Sequence, residues 1–482
     1  MRRFTVYDSL SRETRLFVPI TPPKVGLFVC GLTPYDDAHI GHGRTAVVFD
    51  VVARALTRWG YRVFYIQNVT NLDDRLIARG AESGIDPMRL ADRHFLAWRI
   101  AMEALAVRSV NFYPHATDYL PEIIEQIRAL VDKGFAYASA GSVYYEAARF
   151  PEYGKLSGQR LDQTKPGTRV EAEPGKRAPE DFVLWKAARP GEPTWDSPWG
   201  PGRPGWHIED TAITGRILGP RYDLHGGGVD LKFPHHEAEI AQAEAASGEA
   251  PLVRAWMHAG MLQMRGEKMS KSLGNVIPLQ TALEQFGAMV LRFYYLNAQY
   301  RSPLNFVDGE SLPEAREAYE RLVGPFLRLS RVFDRVGPDG PGRELPADIL
   351  AASSTLVDQL DTTLAEDFAT REVLAALFGW SRTVQEWAPH FESLTGSSLA
   401  ALGAPYRWGR EVLGLFETPT DSNDAQTLGP VVAVALEARR RARDRGDYEE
   451  ADRIRDALKS AGIVVEDDGT RTRWERAPGA LP

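Results

Sequence analysis

The stretch FPHHEAE, residues 233–239, sets His235, His236, Glu237 and Glu239 close together. On a helix His235 and Glu239 would share a face one turn apart, a spacing that metal ligands often use. A polar helix start accounts for the same residues, its glutamates complementing the positive end of the dipole. A second cluster, His39-Ile40-Gly41-His42, follows a short apolar run and opens a helical pattern. Amides at a helix start suit phosphate, imidazoles can donate to a developing phosphoryl charge, and Gly41 lets a flat base approach the backbone. His39 as a plain helix cap is the alternative. The third is EKMSKSLGN, residues 267–275, where Lys268 and Lys271 could bring positive charge to a leaving pyrophosphate. Ordinary surface lysines on a solvated loop are its bland counterpart.

These residues need a scaffold. KVGLFVCGL (24–32) reads as a buried strand, GRTAVVFDVVARALTRWG as a helix, and YRVFYIQNV (61–69) as the next strand. Strand, helix, strand implies a parallel crossover and the start of a doubly wound α/β sheet, Rossmann-like, whose ligands bind at the carboxyl ends of strands. Cys30 to His42 forms one such loop, and Thr70 with Asn71 another. The texture changes from 119 to 204, where a hairpin-like FAYASAGSVYYEA and a Pro- and Gly-rich tract suggest an insertion. A strand near 221 and the FPHHEAE helix follow. The chain is then mainly helical from 310 to 418, and ETPTDSNDAQTLGP (417–430) reads as a linker before two short helices and an extended tail. The expected units are 1–118 and 205–255 for the two halves of the catalytic domain, split by a connective insertion at 119–204. After these come 256–318 around KMSKS, an α-helical bundle at 319–418, and a linker with a small α+β module at 419–482.

Composition is that of an ordinary globular protein, 44% hydrophobic and 25% charged. No apolar run is long enough to cross a bilayer, and the start lacks the apolar stretch of a signal peptide. One cysteine, Cys30, excludes an internal disulfide and fits a reducing cytoplasm. The net charge of −8 rules out a uniformly basic coat but not a local patch. LEARRRARDRGD is such a patch, with Arg439, Arg440 and Arg441 at its centre. A solvated helix face balanced by the following acids is the alternative.

HIGH and KMSKS together resemble class I aminoacyl-tRNA synthetases. CGLTPYDDAHIGHGRT, RPGWHIEDTAI, DLHGGGVDLKFPHHEAEIAQ and MHAGMLQMRGEKMSKSLGN are similar, in order and spacing, to the cysteinyl-tRNA synthetase family, and GTRTRW extends the likeness to the C-terminus. The resemblance implies a monomeric enzyme that activates L-cysteine with ATP and Mg²⁺ and transfers it to tRNA(Cys). It implies one zinc ion that binds the substrate thiolate, with ligands at Cys30, His235 and Glu239. The family's usual fourth ligand is a cysteine, and that position here is Asp210. An aspartate is an acceptable zinc ligand, so we expect the ion to be retained but held differently; Asp210 as an orienting partner of His235 is the alternative. Serine differs from cysteine by one atom, and a metal separates the two better than pocket shape does. No stretch resembles an editing domain.

The same transfer places Gly31, Thr70 and Trp206 against the amino acid, and His39, Gly41, His42, Gly227, Asp230, Lys268 and Lys271 around ATP. It places Arg439, Arg440, Arg441 and Trp474 on the tRNA. His236 and Glu237 are adequately explained as a polar helix face. Two rivals remain: a ligase joining cysteine to an amino sugar in thiol-cofactor synthesis, and a silent RNA-binding paralogue favoured only by Asp210.

Overall fold

A computed structural model describes residues 1–159, 175–269, 276–416, 424–461, 463–468 and 471–476. Its centre is a four-stranded sheet of β1 (Lys24–Leu32), β2 (Arg62–Val69), β3 (Tyr222–Gly228) and β4 (Val253–Ala259), in the order β4-β3-β1-β2. Every pairing in it is parallel. Val25, Leu27, Phe28 and Val29 of β1 are all buried. Such continuous apolar runs are what a sheet covered on both faces requires. The crossover from β1 to β2 is α1 (Ile40–Arg58), whereas β3 reaches the opposite side of β1. The strand order therefore reverses between β1 and β3, and the crevice at their carboxyl ends is the place such sheets reserve for ligands. Cys30 lies on one wall and His225 on the other.

The polypeptide between β2 and β3 includes a four-stranded antiparallel sheet of Ala136–Ser139, Ser142–Tyr145, Phe182–Ala187 and Gly202–Pro204. It leads into α2 (Trp206–Ile217), and α3 (His235–Ser247) follows β3. Tyr145 donates to the Ala241 carbonyl at 3.0 Å, and Glu237 accepts from the Leu156 and Ser157 amides at 3.2 and 2.8 Å. These bonds press α3 against the crevice. They also correct the reading of Glu237 as part of a polar face: it is fully buried, its charge satisfied by backbone donors.

Helices α4 (Ser311–Val336), α5 (Ala347–Leu364), α6 (Thr370–Trp387) and α7 (Gly396–Leu413) share one continuous core with the sheet. Arg292, on the preceding helix Ala288–Leu296, forms a fully buried pair with Asp50 of α1 at 2.5 Å and donates to the Leu413 carbonyl at 2.6 Å, which locks α1 to the end of α7. No helix among the described residues is long and apolar enough to cross a membrane.

The C-terminal module comprises α8 (Asp424–Asp444), α9 (Tyr448–Ser460) and a hairpin of β5 (Ile463–Asp468) with β6 (Arg471–Arg476). α8 starts inside the tract expected as a linker and is a 21-residue helix rather than a short one; residues 417–423 lie outside the described ones. Val432 and Ala435 are buried against Ile454 and Leu458, and that packing outweighs the turn preference of Gly429-Pro430. The module is clasped to the catalytic domain by Arg441 with Asp118 (2.9 Å), Arg445 with Asp92 (2.6 Å), and Glu450 with Arg89 (3.1 Å) and Arg93 (3.3 Å).

Burial by itself would raise the Glu450 carboxyl, but Arg453 and Arg93 outweigh it and hold the group at about 2. A carboxylate lowered on folding stabilises above its unfolded value of about 4.3, and the contribution is lost as pH falls through the folded one. Glu450→Gln should therefore lower the melting temperature at pH ~7, with the gap to the parent closing by pH ~2. Thermal denaturation of both proteins at the two pH values measures this. A gap that persists in acid would show that the side chain acts through packing and not through its charge.

Candidate functional site

At the crevice, β1 contributes Cys30, α2 contributes Asp210, and α3 contributes His235 from its first turn and Glu239 one turn later. These four donors lie within 4.8 Å of one another and all are buried. Cys30 Sγ is 3.4 Å from Asp210 Oδ2 and 3.8 Å from Glu239 Oε1. His235 Nε2 is 3.0 Å from Asp210 Oδ2 and 3.2 Å from Glu239 Oε1. Donors about 2.0–2.3 Å from a tetrahedral zinc ion stand about 3.3–3.6 Å from one another, so these separations fit such an ion. Asp210 faces both Cys30 and His235 directly, at 3.4 and 3.0 Å, within reach of any ion the other donors hold.

The surrounding residues orient this set. Asn68, two residues before Thr70, accepts from the Gly31 amide at 2.7 Å and donates to Asp210 Oδ1 at 2.5 Å. His235 Nδ1 is 2.8 Å from His207 Nδ1, and the His235 ring stacks on Trp206 with centroids 4.2 Å apart. Hydrogen bonding at Nδ1 turns Nε2 toward the cluster, as outer partners of metal-bound histidines do. Burial pushes the Cys30 thiol well up, and the neighbouring Glu239 and Asp210 carboxylates add to it. Burial and Asp210 likewise raise Glu239. A thiol and two carboxylates so enclosed are stabilised in their charged forms by a cation, and Glu239 Oε2 is buried without a hydrogen-bond partner. The residues present therefore fit a divalent metal ion.

His236 is the second correction to the polar-face reading. It is fully buried, with Nε2 3.1 Å from Cys30 Sγ and Nδ1 2.8 Å from His258 Nε2. His225 approaches the same sulfur from β3 at 3.5 Å. Asn68, His207, His225 and His258 escaped the sequence reading, although His225 opens the HGGGVD stretch and Asn68 nearly adjoins Thr70. Asn68→Ala removes the donor to Asp210 and the acceptor for the Gly31 amide. It should weaken divalent-metal binding about tenfold, measured by competition with a chelator. Unchanged affinity would exclude Asn68 from orienting Asp210.

His39 caps α1 in an extended conformation. Its Nδ1 accepts from the Gly41 amide at 3.1 Å, and His42 Nδ1 accepts from the His39 amide at 3.2 Å. The two rings stack with centroids 3.8 Å apart. Capping thus engages Nδ1 of each ring and is compatible with a ligand at Nε2. A Cβ on Gly41 would lie 3.0 Å from the His39 ring, so glycine permits this close fold. Ile40 N donates to Ile277 O at 3.1 Å and Leu279 N to Ala38 O at 2.8 Å, which ties the segment after KMSKS to the HIGH turn. The Lys268 backbone pairs with Gln263, and Lys271 lies outside the described residues. Arg44, also missed from sequence, is fully buried and donates to the carbonyls of Gly260, Met261, Gln299, Tyr300 and Ser302. It fixes α1 against the chain leading into KMSKS.

The remaining expected residues divide. Gly31 and Thr70 border the cluster at the ends of β1 and β2, and a Cβ on Gly31 would meet the Asn68 carbonyl at 1.8 Å. Gly227 packs so close to His236 that a Cβ would fall 2.9 Å from the ring. Asp230 is exposed on the turn after β3. The arginine cluster is not an open basic face. Arg439 is 6% exposed, and Arg441 binds Glu437 and Asp118. Arg440 is exposed but pairs with Glu437 and Asp444. Acids one turn away on α8 and Asp118 across the interface draw these charges inward. Trp474 packs partly buried against the module's small core.

Comparison with known proteins agrees with this architecture. The family model for the class I (C) tRNA synthetase catalytic domain matches residues 16–317, and that for the cysteinyl-tRNA ligase anticodon binding domain matches residues 426–474. A cysteine–tRNA ligase of Syntrophobacter fumaroxidans is 42% identical, with 97% of this chain and 99% of that protein aligned. One from Methylobacillus flagellatus is 44% identical, covering 98% and 99%. Among solved structures, Mycobacterium tuberculosis methionyl-tRNA synthetase in complex with methionyl-adenylate superposes with a TM-score of 0.61 at 17% identity, over 84% of this chain and 96% of that one. At that identity the likeness speaks for the fold alone. With both models matched and relatives aligned along nearly their whole length, the chain belongs to the cysteinyl-tRNA synthetase family of class I aminoacyl-tRNA synthetases.

Proposed function

We propose that this enzyme selects L-cysteine through a zinc ion held by Cys30, Asp210, His235 and Glu239, and charges tRNA(Cys) with it. The observation that carries the reading is the buried four-donor cluster at the reversal of the sheet, beside the histidine-capped start of α1. Bound there, zinc supplies a Lewis-acidic partner for the substrate thiolate, which serine's hydroxyl cannot match. Thr70, Gly31 and Trp206 border the amino acid and keep it oriented, with Trp206 also holding His235 by stacking.

A carboxylate oxygen of cysteine attacks the α-phosphorus of ATP, the bond to the β-phosphate oxygen breaks, and pyrophosphate leaves. His39 and His42 donate to the α-phosphoryl oxygens as charge builds there. Gly41 and Gly227 admit the nucleotide, Asp230 accepts from ribose, and Lys268 and Lys271 neutralise the pyrophosphate, with Mg²⁺ arriving on ATP. A hydroxyl of the terminal adenosine then attacks the adenylate's carbonyl carbon and AMP leaves. The C-terminal module supports the tRNA, Arg440 and Trp474 being its most accessible candidates among the four residues named for it. Arg439 and Arg441 would serve by holding the module in place.

Purified protein with ATP, Mg²⁺ and total tRNA should transfer labelled cysteine and not labelled serine. Equal transfer of both would end the zinc-selection reading, and transfer of neither would end the synthetase reading.

A further inference from the structure

Cys30 and Glu239 belong to a second group of donors. With His225 and His236 they form another buried set whose ligand atoms all lie within 4.8 Å. Cys30 Sγ is 3.1 Å from His236 Nε2 and 3.5 Å from His225 Nε2. Zinc-bound sulfur and nitrogen stand about 3.5 Å apart in a tetrahedral site, so His225 is at ligand spacing and His236 a few tenths of an ångström inside it. The Glu239 carboxylate spans the two groups. Its Oε1 faces His235, whereas Oε2, buried and without a hydrogen-bond partner, lies 3.7 Å from His225 Nδ1, the edge of the ring that also meets Tyr222.

The two histidines are prepared as ligands are. His225 Nδ1 is 2.6 Å from the Tyr222 hydroxyl, and its ring stacks on Trp256 with centroids 4.1 Å apart. His236 Nδ1 is 2.8 Å from His258 Nε2, and His258 Nδ1 is 2.8 Å from Ser9 Oγ. Of the two proton arrangements that satisfy this chain, one has His236 donate from Nδ1 to His258 and His258 donate from Nδ1 to Ser9. It leaves the His236 Nε2 lone pair toward Cys30, the tautomer that a metal needs.

We propose that the pocket contains a second metal seat, formed by Cys30, His225, His236 and Glu239, for a borderline divalent ion such as Zn²⁺ or Co²⁺. It rests on the zinc reading above, since the seats share two ligands and hold one ion between them. The first seat offers one sulfur, one nitrogen and two oxygens; the second offers one sulfur, two nitrogens and one oxygen. Nitrogen suits these ions at least as well as carboxylate oxygen. Asp210 is thus the residue that draws the ion to the first seat.

The test is metal content and X-ray absorption on the full-length protein loaded with Zn²⁺ or Co²⁺ and then desalted. The parent should hold one ion per chain with a single imidazole in its shell. Asp210→Ala should still hold about one ion at saturating metal, now with two imidazoles. His236→Gln should keep one ion with one imidazole, which also shows that the fold survives, and the double variant should lose about tenfold or more of its metal. An Asp210→Ala protein that is stripped of metal, or that binds it with one imidazole, would overturn the second seat while leaving zinc in the parent intact. A double variant that keeps its ion would overturn it equally. A parent without metal would remove both readings. If His236→Gln does not fold, the imidazole count in Asp210→Ala decides alone.

Discussion

Asp210→Ala is expected to weaken metal binding by no more than about tenfold, the ion passing to the second seat, and to raise the KM for cysteine in ATP–pyrophosphate exchange, with a smaller change in the KM for ATP. Asp210 Oδ2 lies 3.4 Å from Cys30 Sγ and 3.0 Å from His235 Nε2, so its removal takes an oxygen donor from between two others. It also strands the Asn68 amide, which donates to Oδ1. The amino acid suffers more than the nucleotide because the cluster is the proposed seat of the cysteine thiol, whereas the nucleotide is proposed to meet the α1 cap. Asp210→Cys should act in the opposite direction, since a thiolate gives zinc a softer and stronger donor. Chelator competition and exchange kinetics measure both variants. An unchanged KM for cysteine together with an ion that keeps a single imidazole in Asp210→Ala would show that the carboxylate touches neither metal nor substrate.

His39→Asn should lower kcat for adenylate formation by about 100-fold or more, with little change in KM for either substrate. The choice of asparagine matters because His39 has two separable tasks. Its Nδ1 caps α1 by accepting from the Gly41 amide, and asparagine is among the strongest caps, so stability should hold. Asparagine cannot place a donor where the imidazole Nε2 edge reaches. A loss of kcat at unchanged melting temperature therefore assigns His39 to the phosphoryl charge. A fall in melting temperature with kcat intact would reduce it to a cap. His42 stacks on His39, so the double variant should cost less than the sum of the singles.

Much of this architecture was legible from local pattern. The apolar run at 24–32 marks β1 with the bounds observed, Lys24–Leu32, and the strand expected at 61–69 is β2, Arg62–Val69. The metal-competent grouping of Cys30, Asp210, His235 and Glu239 came from matching letters to a family, since the first two are 180 residues apart in sequence. Where the reading failed, it lacked burial. His236 and Glu237 look like any polar helix start, and only tertiary packing makes them interior: the central sheet covers His236 and the insertion covers Glu237. The arginines of α8 look like a basic face until Asp118, from far earlier in the chain, meets Arg441.

The sequence by itself thus determined the fold class, the family and the identity of the groups at the chemical centre, because periodicity and motif spacing are local properties of the chain. The tertiary structure alone decided which of those groups touch. It turned Asp210 toward Cys30 and His235, brought His225 and His236 to the same sulfur, and set Arg441 of α8 against Asp118 to dock the module. Those outcomes depend on desolvation and on partners distant in sequence, and neither is written into a local pattern.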